Sequence, residues 1–266
     1  MSKKIKEQKI LEVALNKIVM HLQQKNINLK KVSKEERLNS AANEDVIIQY
    51  IVAYSQKDPY FSKNNLKIGT PNITNNREWY DFSIESDDTS IHNIFMPVNI
   101  KISDISKGGS DNLSCKMGIF YALTGCVPSS IMVNNKTGLS NEQDWGIFFK
   151  LIDEKMATNK KKDYYFLIIN KADTSDIFWT SLRKLETITP NGNNLPFQCN
   201  WKKNRQRVHR SYIEAREFIL VCFKSSIEKR IGIGTYWQLH MEKYVGLKTD
   251  RIQNKQSEIA NDKQGV

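Results

Sequence analysis

The run YYFLII at residues 164–169 constrains the fold of this chain more than any other segment. A short, uninterrupted apolar run of this kind is typical of a strand that is fully buried in a sheet, rather than of a strand with one solvent-exposed face. Other elements have to cover such a strand. The run therefore predicts a sheet that is flanked by helices.

The remaining pattern of apolar residues supplies those helices and further strands. A period near 3.6 residues predicts helices over residues 5–25, 41–57, 111–124, 142–158 and 212–230. Aromatic and β-branched stretches predict strands over residues 79–85, 94–102 and 195–201, and the Asn-rich stretch 60–77 predicts a loop. The order of these elements predicts an α/β (α+β) fold with one mixed β-sheet flanked by helices.

We expect a single domain over residues 1–266. Within it, residues 1–57 form a helical N-terminal part that could serve dimerisation. The polar segment 249–266 is predicted to be a flexible tail.

The charge of the chain indicates the kind of partner it meets. It carries 40 basic and 29 acidic residues, a formal net charge of +11. An excess of this size indicates nucleic acid or an anionic membrane surface. The sequence has no run of about eighteen apolar residues and no apolar signal region, so we expect no transmembrane helix and a cytoplasmic location. The four cysteines form no CxxC pair and predict free thiols rather than a zinc site.

The segment 79–101, WYDFSIESDDTSIHNIFMPVNIK, holds the most informative chemistry. Its two predicted strands form a hairpin. Side chains alternate along a strand, so Asn99 and Lys101 lie on one face, and pairing across the hairpin brings Asp81 close to them. Pro97 favours an edge position or a bulge over a fully paired central position.

These residue types are the ones that phosphodiester hydrolysis requires. Mg²⁺ neutralises the charge that develops on the phosphate, and its ligands are oxygens, typically from one or two carboxylates and several waters. Asp81 is the main candidate ligand. The amide oxygen of Asn99 and the backbone carbonyl of Ile100 are further candidates, and Glu85 is a reserve ligand. Lys101 is the candidate to orient or deprotonate the attacking water, or to hold the phosphate.

Asp81 followed by Asn99-Ile100-Lys101 resembles the PD-(D/E)xK nuclease motif, in which an Asp on one strand precedes an acidic residue, any residue and Lys. Tyr80 stands in place of the Pro. Asn99 stands in place of the acidic residue, a variant that occurs among restriction enzymes of this family. The segment after Lys101, ISDISKGGSDNLSCKMGIFYALTG, is similar to that of the blunt-cutting members. The resemblance implies a restriction-endonuclease-like core.

The resemblance also implies a glutamate on a helix before the hairpin, near the metal site and often next to the dimer contact. Glu44, on the predicted helix 41–57, matches that place. It joins Asp81, Asn99 and Lys101 as a candidate catalytic residue. The alternative is an exposed acid in the first helical turn, which the helix dipole favours.

Two segments are candidates for DNA contact. The resemblance implies that the polar loop after the catalytic strand approaches DNA, with Lys107, Ser110 and Asn112 as candidates. Residues 195–230 resemble the C-terminal recognition segment of the same enzymes, and Arg, Asn and Gln are the side chains that read base edges. The candidates in its basic loop are Lys202, Lys203, Asn204, Arg205, Gln206, Arg207 and Arg210. Both segments are also compatible with an ordinary solvated loop.

Together these features predict a type II restriction endonuclease, which hydrolyses double-stranded DNA at a specific sequence with Mg²⁺ and leaves 5′-phosphate ends. The expected partners are DNA, a second copy of the chain in a homodimer and, as a genetic partner in a restriction-modification system, a DNA methyltransferase. No membrane is expected. One alternative is a structure-specific repair or junction nuclease of the same fold. A second, motivated by Asn99, is a DNA-binding protein without catalysis, and an RNA-binding protein is a weaker third.

Overall fold

The computed structural model describes residues 3–25, 27–31, 33–34, 36–71, 79–86, 94–106, 108, 110–113, 116–128, 142–192, 196–228 and 233–245. Its helices are α1 (Lys3–Gln23), α2 (Glu36–Ser55), α3 (Pro59–Lys63), α4 (Lys116–Thr124), α5 (Glu142–Lys155), α6 (Tyr212–Ile227) and α7 (Ile233–His240). Its strands are β1 (Leu66–Gly69), β2 (Phe82–Ser86), β3 (Phe95–Ser103), β4 (Ser110–Leu113), β5 (Tyr165–Asn170), β6 (Ile177–Ser181), β7 (Thr189–Pro190) and β8 (Phe197–Asn200). Short 3₁₀ turns lie at Leu182–Lys184 and Glu242–Tyr244.

The main sheet is mixed and has five strands in the order β1-β2-β3-β5-β6. β1, β2 and β3 form an antiparallel meander, β5 runs parallel to β3, and β6 is antiparallel to β5. Helices α4 and α5 lie between β3 and β5 in the sequence, because a parallel pair needs a long crossover. Every residue of β5 is buried, which confirms the buried strand predicted from YYFLII.

Helices cover both faces of the main sheet, and each face has its own apolar core. On one face, Ile18 of α1 and Ile47 of α2 belong to the same core as Leu167 of β5. On the other face, Phe149 of α5 shares a core with Phe166 of β5. Successive residues of β5 thus enter opposite cores, as the alternation of side chains along a strand requires. The predicted mixed sheet flanked by helices is confirmed at this level.

A smaller antiparallel sheet, in the order β4-β8-β7, follows the carboxyl end of β3 in the chain. Leu113 and Phe197 of this sheet are fully buried in the second core. Ser110, Asn112 and Gln198 are exposed. The smaller sheet therefore has one apolar face and one polar, solvent-exposed face.

The prediction of a helix over 111–124 is wrong for its first residues. Residues 110–113 form strand β4, and α4 begins only at Lys116. Burial along β4 is confined to Leu113, with exposed residues at alternate positions, which is a strand pattern. The strand forms because it pairs with β8 along its whole length, and that partner is distant in the sequence.

The segment predicted as a loop over 60–77 contains regular structure. The carboxylate of Asp58 accepts a hydrogen bond from the N–H of Tyr60 at 2.8 Å. Pro59 opens helix α3 at a position where its missing N–H costs nothing. Strand β1 follows and pairs with β2. The loop prediction is therefore wrong for α3 and β1.

Pro97 lies where β3 is paired on one side only. It faces Ser83 on β2, whereas the pairing of β3 with β5 starts at Val98. The missing N–H of the proline therefore removes no hydrogen bond from the parallel ladder. At Pro97, β3 is therefore paired like an edge strand, as predicted. From Val98 onward β3 is paired on both sides and is a central strand.

Several predicted features lie outside the described residues. They are the turn of the hairpin at 87–93, Lys107, and the tail at 249–266. Within the described ranges, no helix is long and apolar enough to cross a membrane. Cys199 and Cys222 are buried free thiols, and Cys126 is a partly buried one.

Candidate active site

Asp81 lies one residue before β2, where that strand starts to pair with β3 at Val98. The backbone N–H of Asp81 donates to the carbonyl of Val98 at 2.9 Å. Its carboxylate oxygen Oδ2 accepts a hydrogen bond from the backbone N–H of Ile100 at 2.5 Å. The structure thus places the carboxylate of Asp81 directly against the Asn99-Ile100-Lys101 segment of β3.

Asn99 and Lys101 flank Ile100 on β3 and are both partly buried. The Oδ1 atom of Asn99 is buried and has no hydrogen-bond partner among the residues that the structure describes. Buried polar atoms are nearly always hydrogen-bonded. An unpaired acceptor beside a carboxylate therefore points to a ligand.

Glu44 lies in the first half of α2, and the charges of Asp81 and Lys101 affect the pKa of its carboxyl group. The pKa of its carboxyl group is raised to about 7, first because the group is buried and then because Asp81 is nearby and negative. The positive charge of Lys101 opposes this rise in pKa. Glu44 is half-buried and lies beyond the first turn of α2, so it is not an exposed first-turn acid, and the pKa shift indicates that it lies within electrostatic range of Asp81 and Lys101.

The pKa of Asp81 is also raised above its ordinary value. Burial of the carboxyl group is the main cause, while the hydrogen bond from Ile100 and the charge of Lys101 lower the pKa. Asp45, next to Glu44 on α2, raises the pKa of both carboxyls. Asp45 therefore adds to the negative electrostatic potential around both carboxyl groups. The sequence analysis did not name Asp45 as a candidate.

The donor set fits a hard divalent cation. The described residues contain no group of three or more His, Cys, Asp or Glu side chains placed to hold a metal ion. The cluster here instead combines two carboxylates, of Asp81 and Glu44, with the amide oxygen of Asn99. Mg²⁺ typically uses only one or two protein carboxylates and keeps several waters. A cation at this site would relieve the raised pKa values of the carboxyls and give Asn99 Oδ1 a partner.

Glu85, the reserve ligand, is engaged elsewhere on β2. Its carboxylate oxygen Oε1 accepts a hydrogen bond from the hydroxyl of Ser83 at 2.6 Å. The Gly69 backbone on β1 lies against the same pair, since a Cβ there would come within 2.4 Å of that oxygen. This contact gives Glu85 a local role beside β1.

Most of the predicted DNA contacts are on the surface. Lys107 lies outside the described residues. Two hydrogen bonds join the segment after β3 to the end of β8: Asn200 Nδ2 donates to the carbonyl of Gly108 at 3.1 Å, and Nε1 of the next residue, Trp201, donates to Asp111 of β4. The candidates that are exposed are Ser110, Asn112, Lys202, Lys203, Arg205, Gln206 and Arg207.

Three of the predicted DNA contacts are tied into the fold. Asn204 is 0% exposed, and its amide donates to the carbonyls of Thr187 and Asn200 and accepts from the N–H of Thr187. Its side chain is therefore not available to a base edge. This burial corrects the prediction that Asn204 contacts DNA.

Arg205 and Arg210 are similarly occupied. The guanidinium of Arg205 makes two hydrogen bonds of 2.7 Å to the carboxylate of Asp176. The guanidinium of Arg210 donates to the backbone carbonyls of Arg183, Leu185 and Glu186. These bonds fix the loop against the main sheet, so both arginines have structural partners that a DNA contact would have to replace.

The smaller sheet brings Asn191, Gln198 and Thr189, which sequence reasoning missed, into one row with the predicted Asn112. Oδ1 of Asn112 accepts hydrogen bonds from Asn191 Nδ2 at 3.0 Å and from Gln198 Nε2 at 3.2 Å. The register also places Thr189 opposite Gln198. This row of amide and hydroxyl groups depends on pairing between β4, β8 and β7, which no local pattern reveals.

Comparison with models of known protein families gives no match, and comparison with curated proteins gives none either. The interpretation of this site therefore depends on its geometry and on the order of the elements that form it.

Proposed function

We propose that this chain is a Mg²⁺-dependent endonuclease of the PD-(D/E)xK type, which cuts double-stranded DNA at a specific sequence as type II restriction endonucleases do. The observation that carries the proposal is the buried, unpaired Oδ1 of Asn99 beside the carboxylate that Ile100 holds. A buried acceptor without a partner costs roughly 1–3 kcal/mol. A ligand is one reason why a fold retains such a cost.

The order of elements along the chain supports the same proposal. Glu44 lies on α2, Asp81 precedes β2, and Asn99 and Lys101 lie on β3. A polar loop and helix α4 follow, and a basic loop precedes the long helix α6. This is the order of motifs that the resemblance to PD-(D/E)xK enzymes implies, and it favours a restriction-endonuclease-like core over an unrelated α/β fold.

The roles of the residues follow from their chemistry. When bound, Mg²⁺ neutralises charge on the phosphate and activates water. Asp81 and Asn99 would hold it through their side-chain oxygens. The carbonyl of Ile100 would add a third oxygen, since the N–H and C=O of one strand residue point to the same edge and its N–H faces Asp81.

Lys101 and Glu44 serve proton transfer and positioning. Lys101, on the same side of β3 as Asn99, holds a phosphate oxygen or orients the attacking water. Glu44, with a pKa of about 7, exchanges a proton near neutral pH. Attack of water on phosphorus breaks the bond to the 3′ oxygen, so the 5′ end keeps the phosphate.

DNA recognition is proposed for the surface that continues from the carboxyl end of β3. Asn112 and Gln198 present amides, the groups that pair with adenine in the major groove. Lys202 and Lys203, in the turn after β8, are exposed and suited to phosphates. Gln206 and Arg207 extend the surface, with the Arg207 guanidinium 3.9 Å from the ring centre of Trp179.

A homodimer and a companion methyltransferase complete the proposal. A symmetric dimer matches a palindromic site, because each subunit then cuts one strand. A methyltransferase with the same recognition sequence is the expected genetic partner, since it protects the host DNA.

A DNA-binding protein without catalysis is the second candidate, and Asn99 favours it. An amide in place of a carboxylate leaves the site with one negative charge fewer to hold Mg²⁺. This candidate shares the DNA surface and differs only in the chemistry of the cluster.

The deciding experiment is digestion of phage DNA by the purified protein with Mg²⁺, with EDTA, and by the Lys101→Ala variant. Lys150→Ala, an exposed lysine on α5, is the control. Discrete Mg²⁺-dependent fragments that Lys101→Ala fails to produce support the nuclease. Binding without any cleavage supports the second candidate, and cutting of branched DNA alone supports a structure-specific nuclease.

A further inference from the structure

A basic pocket lies between the loop that joins α1 to α2, helix α2 and the carboxyl end of β3, and it is not part of the candidate active site. It has a volume of about 470 Å³, within the range of small-ligand sites. Four lysines line it, and among the described residues that line it none is acidic. They are Leu29, Lys30, Lys31, Lys34, Asn39, Ser40, Asn43, Ile102 and Lys171. Four ammonium groups around one cavity repel one another, and an anion in the cavity offsets that repulsion.

Two asparagines of α2 hold the lysine-bearing loop in place. Asn43 accepts from the N–H of Lys30 at 2.8 Å and donates to its carbonyl at 2.9 Å. Asn39 makes the same pair of bonds to Ser33, also at 2.8 and 2.9 Å. Residues four apart lie on one helix face, so the two amides act as adjacent clamps. The loop backbone is therefore preorganised, which lowers the entropy cost of binding.

This pocket shares strand β3 and helix α2 with the candidate active site. Ile102 follows Lys101 on β3, and Asn43 precedes Glu44 on α2. On the far side, the N–H of Lys171 donates to the carbonyl of Ser103 at 2.8 Å, at the carboxyl end of β3. Side chains alternate along a strand, so Ile102 and Lys101 face opposite sides of β3, and the pocket and the site adjoin across the carboxyl end of that strand.

We infer that this pocket binds the phosphodiester backbone of the DNA strand that enters the candidate active site, next to the phosphate being cut. The inference rests on the proposed function. One strand of duplex DNA carries a phosphate about every 3.4 Å of helix axis. A strand with one phosphate at Lys101 and its backbone running across the carboxyl end of β3 therefore brings neighbouring phosphates to the side of the pocket. Lys30, Lys31 and Lys34 supply the charge that this stretch of backbone requires.

The test compares two triple variants of the full chain with equal loss of charge. In one, Lys30, Lys31 and Lys34 become Ala. In the matched control, the exposed lysines Lys57, Lys63 and Lys150 become Ala. Binding to a short duplex is measured by fluorescence anisotropy in EDTA over a series of salt concentrations. Isothermal calorimetry with inorganic phosphate and circular dichroism are run on the same proteins.

The pocket variant should lose at least about tenfold in affinity, and the slope of log K against log salt should become shallower by about 2 to 3, since each phosphate contact contributes about 0.9. The control should keep the wild-type slope. Equal slopes in the two variants, with DNA still cut, overturn the inference and leave the proposed function standing.

Two further outcomes also decide the question. If inorganic phosphate binds the wild type and not the pocket variant while the DNA slopes stay equal, the pocket takes a free anion and the inference is wrong. If the wild type binds no DNA, both the inference and the proposed function fail. Native circular dichroism of the pocket variant shows that any loss is not due to unfolding.

Discussion

The backbone N–H of Ile100 donates a 2.5 Å hydrogen bond to the Oδ2 atom of Asp81, which ties the carboxylate to the strand that carries Asn99 and Lys101. The bond compensates part of the desolvation that raises the pKa of Asp81. It leaves the carboxylate oriented toward β3, so the cluster is organised before any cation binds. Preorganised charge of this kind is what stabilises a phosphoryl transition state.

Replacement of Asp81 by Asn should separate the catalytic role proposed for the carboxylate from its structural role. The amide keeps an oxygen that can accept from Ile100 but removes the negative charge. We expect cleavage to fall by on the order of a hundredfold or more, with a melting temperature equal to or above that of the wild type. Single-turnover cleavage and thermal unfolding measure the two effects. Asp173→Asn, at an exposed turn, is the control, and undiminished cleavage by the Asp81 variant would remove Asp81 from the site.

The raised pKa of Glu44 predicts a specific dependence of stability on pH. The folded state holds the proton with a pKa of about 7, whereas the ordinary value is 4.5. Between these values the unfolded state has released the proton and the folded state has kept it. Stability from this group is therefore lost as pH rises through that window.

Replacement of Glu44 by Gln should abolish that loss. We expect the variant and the wild type to unfold at similar urea concentrations near pH 4.5, and the variant to be more stable at pH 8. The difference should be at most on the order of 3 kcal/mol, because the group is not fully removed from solvent. Unfolding is measured in EDTA, with the exposed Glu154→Gln as control. A variant that is no more stable than the wild type at pH 8 would show that the Glu44 carboxylate is not desolvated.

The sequence predicted those parts of the site whose partners are close along the chain. Asp81 and Asn99 belong to one hairpin, and side-chain alternation alone places Lys101 on the same face as Asn99. Glu44 was found only through the resemblance, because its partners are on another element. No local pattern could show that Asn204 would be buried, since its partner Thr187 lies in a different segment.

The same limit explains the errors in the fold. Residues 111–113 were predicted as the first turn of the helix over 111–124, because no local pattern separates them from it. Their strand conformation depends on β8, which is far away in the sequence. By contrast, the buried strand β5 could be predicted from the sequence, since six consecutive apolar residues are typical of a strand that is buried on both faces of a sheet.

The burial of Asn204 predicts a loss of stability rather than of DNA affinity on substitution. Asn204→Ala leaves the N–H and carbonyl of Thr187 without their partners. We expect the free energy of unfolding to fall by about 2–4 kcal/mol, as for other broken buried hydrogen-bond networks. Lys203→Ala, with an exposed side chain one residue away, should change stability by less than about 0.5 kcal/mol and should weaken DNA binding. Urea unfolding measures the stability of both variants, and anisotropy titrations measure their DNA affinity. If Asn204→Ala lost DNA affinity and kept its stability, Asn204 would again be a candidate DNA contact.

Substitution of Asn99 tests whether its unpaired oxygen is a cation ligand. Asn99→Asp adds the carboxylate that most PD-(D/E)xK enzymes have at this position, so Mg²⁺ affinity should rise by at least about tenfold, because affinity grows with ligand charge. In EDTA the same variant should be less stable than the wild type at pH 8, since a third carboxylate joins Asp81 and Glu44, and Mg²⁺ should restore its stability by mass action.

Asn99→Leu is similar in size and removes the buried acceptor. It should lose Mg²⁺ binding and gain on the order of 1 kcal/mol of stability. Calorimetric titration and thermal unfolding with and without Mg²⁺ measure both effects. If Asn99→Leu binds Mg²⁺ as well as the wild type does, Oδ1 of Asn99 is not a ligand.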